Sequence, residues 1–214
     1  MIQSRKELSF FIAADRIMNG YPANRSLISY LKETLAIGGA KVVVIKYLRH
    51  LRKYAYYYNT NDRSLWHKIG MLYHHQRLAK YAIKTGFSIG QNSLDYGVVI
   101  PHYGTIVVNE DSHIGPFAVL HTSTCIAGGG KNIGEGFYLS SGSQLVGMFN
   151  LGDNVTVAAH SLLNKSFGNN VLLAGCPAEI KRDNYECWYR RDGACFAERV
   201  ERVQQLRIKM GISK

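Results

Sequence analysis

The chain has 214 residues, 46% hydrophobic and 19% charged, which fits a soluble globular protein and excludes a disordered or low-complexity one. Its net charge of +11 is unevenly placed: residues 1–85 carry 15 Lys and Arg against 4 acids, residues 86–180 carry 2 against 6, and residues 181–214 carry 9 against 5. The basic flank suits nucleic acid, an anionic membrane surface, an acidic polymer or a phosphorylated cofactor, with a solvated helix face as the plain alternative. No nucleic-acid motif accompanies it and the middle of the chain is net acidic, so no nucleic-acid partner is expected.

The N-terminal MIQSRKELSFF has neither a long apolar run nor a small-residue cleavage site, so no signal peptide is expected. Residues 1–85 read as a helical region. In KVVVIKYLRHLRKYAYYY and LWHKIGMLYHHQRLAKYAI the apolar residues recur at three and four with basic residues between them. The segments NGYPANRS and NTNDRS are the turns, and their Asn, Asp and Ser suit helix N-caps. The most apolar stretch, LAIGGAKVVVIKYL, is broken by glycines and lysines, so no integral membrane segment is expected. Tyr54, Tyr56, Tyr57 and Tyr58 read as packing residues, and His50, His67, His74 and His75 as surface or packing residues.

Residues 86–178 carry a different rhythm. Val108, Ile114, Leu120 and Ile126 fall six apart; after one extra residue in AGGGKN the beat resumes at Ile133, Leu139, Leu145, Leu151 and Val157. Six fits neither the period of a helix nor that of a strand. It fits a β-solenoid, a left-handed parallel β-helix, with three strands and three corners per coil and the aliphatics stacked inside. The segment holds about five coils of about 18 residues. The phase is clean from Val108 onward and blurred before it. Residues 179–214 follow as a connector, CWYRRDG, and a C-terminal amphipathic helix in ERVERVQQLRIKM. Four cysteines show neither CxxC pairs nor the density of a secreted scaffold, so reduced thiols in a cytoplasmic protein are expected, with Cys125 as a small packing residue.

Chemistry is expected where polar residues interrupt the aliphatic beat. His102 in VVIPHYGTIVV and His121 in AVLHTSTCI are the strongest interruptions, and an imidazole can take a proton from an attacking hydroxyl near neutral pH. His102 precedes a small-residue corner that leaves its ring accessible, and His121 follows an inward Leu120, so it points outward from a corner. A hydrogen-bonded structural role is the alternative for each. His113 and His160 occupy similar corners with less polar company.

The ordered set IPHYGTIVVNEDSHIG, AGGGKNIGEGFYLSSGSQLVG, LGDNVTVAAHSLLNKSF and AGCPAEI resembles the serine acetyltransferase family of hexapeptide-repeat acyltransferases. It is especially similar to the shorter members that acetylate sugars and surface polysaccharides, over about residues 84–180. The resemblance implies acetyl-CoA as acyl donor, no metal, and His102 as general base, with His121 the second candidate. Backbone donors near the transferred group would steady its oxyanion, worth roughly 3–4 kcal/mol each. The resemblance places the pantetheine arm along Ala127, Gly128 and Gly129, then Ser141, then Ala159; Lys165, Lys181 and Arg182 are the candidates for the CoA phosphates. It further implies a homotrimer with active sites between subunits.

Departures from the family pattern bear on the acceptor. Pro101 stands where the serine enzymes have an aspartate before the histidine, and Gly130, Lys131 and Asn132 stand where they have an Arg-His pair. The aspartate that orients the family's histidine falls about on Ser88, with Asp95 or Glu110 as substitutes, and much of the longer helical domain that joins two trimers is missing. A zwitterionic acceptor buried without partners costs several kcal/mol. A carbohydrate hydroxyl is therefore expected as the acceptor, on a surface or capsular polysaccharide or its precursor, with the basic helices, Tyr103 and the Trp188–Tyr189 pair helping to hold an anionic glycan. Serine O-acetylation for cysteine biosynthesis is the alternative, followed by a trimeric zinc site that hydrates carbon dioxide and a non-catalytic solenoid.

Overall fold

The computed structural model describes residues 1–24, 26–35, 39–60, 62 and 64–212. Four helices come first: α1 (Arg5–Met18), α2 (Leu27–Thr34), α3 (Ala40–Asn59) and α4 (Leu65–Thr85). Ser4 caps α1 in a reciprocal box with Glu7, and the Ser64 hydroxyl caps α4 by accepting from His67 N–H (3.2 Å). Residues 25, 61 and 63 of the two expected turns lie outside the described residues. Gly86 ends α4 in the left-handed region (φ 79°) and turns the chain into the first coil.

The hexads build a parallel β-solenoid of about five coils. Its strands begin with β1 (Phe87–Ile89), β2 (Ile106–Val108), β3 (His113–Ile114), β4 (Val119–Leu120) and β5 (Thr124–Ala127). They continue with β6 (Lys131–Ile133), β7 (Tyr138–Leu139), β8 (Gln144–Val146) and β9 (Phe149–Leu151). The last are β10 (Thr156–Val157), β11 (Leu162–Leu163), β12 (Leu172–Gly175) and β13 (Ala178–Arg182). The first face stacks β1, β2, β5, β8 and β11; the second β3, β6 and β9; the third β4, β7, β10, β12 and β13. Among the described residues only β13 runs antiparallel, folding back on β12. Strand pairs that span the extra residue in AGGGKN are offset by 19, as Cys125 on Gln144, whereas Ile106 on Thr124 and Gln144 on Leu162 keep 18. All nine hexad aliphatics are buried in one continuous core.

A solenoid end exposes its apolar interior unless something covers it. Val44, Tyr47, Leu48 and Leu51 of α3 join the same core cluster beside Phe87 and so close the first coil. A second cluster brings Phe10, Phe11 and Met18 of α1 onto Tyr96, Val99, Phe117 and Val119. It is completed by α5 (Trp188–Arg191) and α6 (Ala194–Lys209), through Trp188, Val200 and Val203. One polar knot fixes this docking. Arg52 of α3, 1% exposed, donates to Asp15 of α1 (Nε to Oδ2, 2.8 Å) and to the Asp95 carbonyl (2.6 Å). Asp15 in turn accepts from Gly97 and Val98 N–H (2.9 and 3.1 Å). Each buried charge thus has partners, which is the condition for tolerating it.

Candidate functional site

The corners that lead from the third face to the first form one ladder along the solenoid. Gly142 N–H donates to the Thr122 carbonyl (3.3 Å) and His160 N–H to the Ser141 carbonyl (3.0 Å). His102 lies on this ladder in the second coil, His121 in the third, Ser141 in the fourth and Ala159 in the fifth. The 19-residue spacing therefore does put the two histidines on adjacent coils. The His102 corner differs from the others. Val99 pairs with Val119 and Ile106 with Thr124, so seven positions separate Val99 from Ile106 against five from Val119 to Thr124. Two extra residues push His102 and Tyr103 out of the stack; both are exposed, Tyr103 by 60%.

His121 is half-buried and tied down. Its Nε2 lies 2.9 Å from the Tyr138 hydroxyl, and the Arg191 guanidinium stands over the Tyr138 ring (5.4 Å) while donating to Asp192 (2.9 Å). Burial lowers the His121 pKa, and so does the nearby His102; Asp192 pulls the other way. Burial, with Asp192 beside it, raises the Tyr138 pKa. A neutral His121 backed by a neutral phenol is a fixed hydrogen-bonding pair at neutral pH. Tyr138, Arg191 and Asp192 carry no mark in the residue pattern: the tyrosine is one more residue beside an inward Leu139, and the other two arrive from the connector only on docking.

In front of His102 opens a cleft of about 190 Å³ between the helices and the solenoid. Tyr21, Lys41, Ile45, Ile100 and Arg199 line it with His102. Asn19 braces its floor, donating from Nδ2 to the carbonyls of Asp15 and Val98 (2.7 Å each). The two carboxylates expected as partners of His102 are elsewhere. Asp95 follows the second face of the first coil and accepts from Tyr96 N–H (2.7 Å); Glu110 sits on the corner after the first face. Neither shares the histidine ladder.

The expected cofactor residues divide between two corners. Ala127, Gly128 and Gly129 follow the first face, and Ser141 and Ala159 precede it, so the two groups bracket that face rather than forming one line. Gly128 and Gly129 both have positive φ (75° and 100°), and a Cβ on Gly128 would stand 2.9 Å from Gly147 N. The buried Lys131 secures this turn, its Nζ donating to the carbonyls of Ala127 (2.6 Å) and Gly129 (3.0 Å). Lys165, over the Phe167 ring, is exposed near the end of the stack, as are Lys181 and Arg182 on β13. Lys181 lies 3.4 Å from Glu179.

Trp188 is not available to a glycan. It is 1% exposed, donates its indole N–H to the Phe117 carbonyl (2.8 Å) and packs on Phe196, because the connector folds into the second core cluster. Its neighbour Tyr189 stays half-buried. His113 stands on strand β3, not on a corner. Among the described residues, no three His, Cys, Asp or Glu side chains are grouped to hold a metal ion, and no helix is long and apolar enough to cross a membrane.

No family model matches the chain. Solved structures do. The Neisseria gonorrhoeae serine acetyltransferase in complex with serine is 20% identical at a TM-score of 0.57, covering 84% of this chain and 71% of that one. A serine acetyltransferase from Brucella abortus gives 18% and 0.57, over 84% and 69%. Another serine acetyltransferase, in complex with CoA, gives 16% and 0.54, over 79% and 68%. The likeness is one of fold. It supports the resemblance first read from the hexads and extends it over helices as well as coils.

Proposed function

We propose that the chain is an acetyl-CoA-dependent O-acetyltransferase. The observation that carries this is the ladder of His102 over His121 on one edge of a face whose other edge is the lysine-held glycine turn. Such an arrangement places a base beside a strand face bordered by small residues. Acetyl-CoA supplies the acetyl group as a thioester, with Ala127, Gly128, Gly129, Ser141 and Ala159 as its small-residue borders and Lys165, Lys181 and Arg182 as candidates for its phosphates. His102 takes the acceptor's hydroxyl proton as the oxygen bonds to the acetyl carbon, and returns that proton to the departing thiolate. His121, held neutral by burial, avoids placing a second positive charge beside the base. The working unit is a homotrimer with sites between subunits, in the cytoplasm.

Two acceptors are supported by different observations. The fold neighbours are serine acetyltransferases, one of them in complex with serine, and this favours serine over a sugar. The cleft at His102 favours a carbohydrate hydroxyl: it offers cations for an anion but, among the described lining residues, no carboxylate for the ammonium of an amino acid. Thiol release from acetyl-CoA, measured against serine, nucleotide sugars and acidic polysaccharides, separates the two. Turnover with a carbohydrate and not with serine is expected. Strong serine-dependent release would overturn the carbohydrate reading and leave the acetyltransferase standing; no release with any acceptor would overturn both.

A further inference from the structure

The cleft in front of His102 has a composition that the expected cofactor site does not use. Its cations come from distant parts of the chain: Lys41 from the first turn of α3 and Arg199 from α6. A guanidinium has five N–H donors in a fixed fork. Arg199 gives one to the Met18 carbonyl (3.0 Å) and lays its plane against Phe196 (5.1 Å to the ring centroid). Gly20, at φ +83°, leaves the space the fork occupies, since a Cβ there would lie 3.1 Å from an Arg199 nitrogen. Glu33 acts on Tyr21 of the lining and is paired to Arg16 at 2.7 Å, and the Asp15 carboxylate behind the floor is taken up by Arg52. The cleft therefore presents two positive charges, an apolar wall including Ile45 and Ile100, and an imidazole.

We propose that this cleft is a carboxylate-selecting acceptor site that takes one acidic sugar residue of the uronic acid class. Lys41 and Arg199 hold the carboxylate, the aliphatic wall meets the C–H face of the ring, and a ring hydroxyl is left toward His102. Charge-assisted hydrogen bonds from a guanidinium and an ammonium are the contacts that would discriminate an acid from its neutral counterpart. A volume of about 190 Å³ admits one sugar ring. The transfer itself rests on the acetyltransferase reading above; the binding does not.

The test is a titration of the full chain with sodium glucuronate, glucose and serine, followed by calorimetry and by the imidazole resonances of His102. Glucuronate is expected to saturate and to shift His102, with glucose about tenfold weaker or more, since it lacks the charge-assisted hydrogen bonds of the carboxylate. Lys41→Gln and Arg199→Gln are each expected to weaken glucuronate about tenfold and to leave glucose unchanged. Arg199→Lys restores part of the loss. Lys41 is exposed, so its variant keeps the test open should Arg199→Gln fail to fold. No saturable glucuronate binding, equal binding of glucose, tighter binding of serine, or wild-type binding by Lys41→Gln would each overturn the proposal. Failure of the acetyltransferase reading shows separately, as absent thiol release alongside intact glucuronate binding.

Discussion

The solenoid and its helical cover are built on opposite principles. Each coil repeats the same inward aliphatic residues, so its core is one stack of interchangeable contacts with neighbours 18 or 19 residues away. The cover has no repeat. It packs through unrepeated apolar contacts and is pinned by single-copy polar ones: Arg52 on Asp15, Arg16 on Glu33, and the His50–His74 pair at 2.9 Å. The charge divides the same way, with the helices strongly basic and the coils net acidic. Repetition therefore supplies the straight scaffold, while the unrepeated contacts choose where the scaffold is covered and leave the cleft open at His102.

If that contrast is right, the cover breaks more readily than the stack. Arg52→Met strands the buried Asp15 carboxylate with only two backbone donors, so urea unfolding should show a loss of about 3–5 kcal/mol and early exposure of the helices. A loss under about 1 kcal/mol would mean the knot is not what docks the cover. Leu139→Ala, in the middle of the stack, should remove about 2–5 kcal/mol, with the helices and coils unfolding together.

Acid should act on the cover first. Burial and the surrounding Arg49 and Lys53 charges hold the pKa of His50 at about 3 and of His74 at about 4, below the ordinary 6.5. The unfolded chain binds those protons first, so stability is fully present above pH 6.5 and declines from there toward about pH 3. The urea midpoint of the helical signal should fall across that window; a midpoint unchanged down to pH 5 would contradict it. The smallest effect is expected at Tyr138→Phe, about 1 kcal/mol. Its sharper readout is the His121 titration, which should move upward if the phenol donates to Nε2. A downward move would mean that the phenol accepts.

What could be read from the residues follows the same division. The hexad beat names the buried stack because inward positions recur whatever the tertiary context, and the extra residue in AGGGKN emerges as the 19-residue register step. The blurred phase before Val108 has a cause: the His102 corner is two residues longer than the next one, so the beat slips there. The Trp188–Tyr189 pair reads as a glycan contact, yet Trp188 is core, because a connector's burial depends on what it docks against. Arg191 and Asp192, like Lys41 and Arg199, are brought to the histidines by docking of segments that carry no period, whereas Tyr138 reaches His121 by the stacking of β7 on β4. Nothing in their spacing marks them.

We infer that His102, lifted out of the stack by its longer corner, is the base of the transfer. Thiol release from acetyl-CoA by His102→Ala and His121→Ala, each with its melting temperature, tests it most directly. His102→Ala should fall by roughly 10²–10⁴-fold with an unchanged melting temperature, since the ring is exposed and general-base catalysis contributes on that scale. His121→Ala should fall less and melt lower, because it loses the Tyr138 bond. Wild-type turnover by His102→Ala would mean that another group is the base.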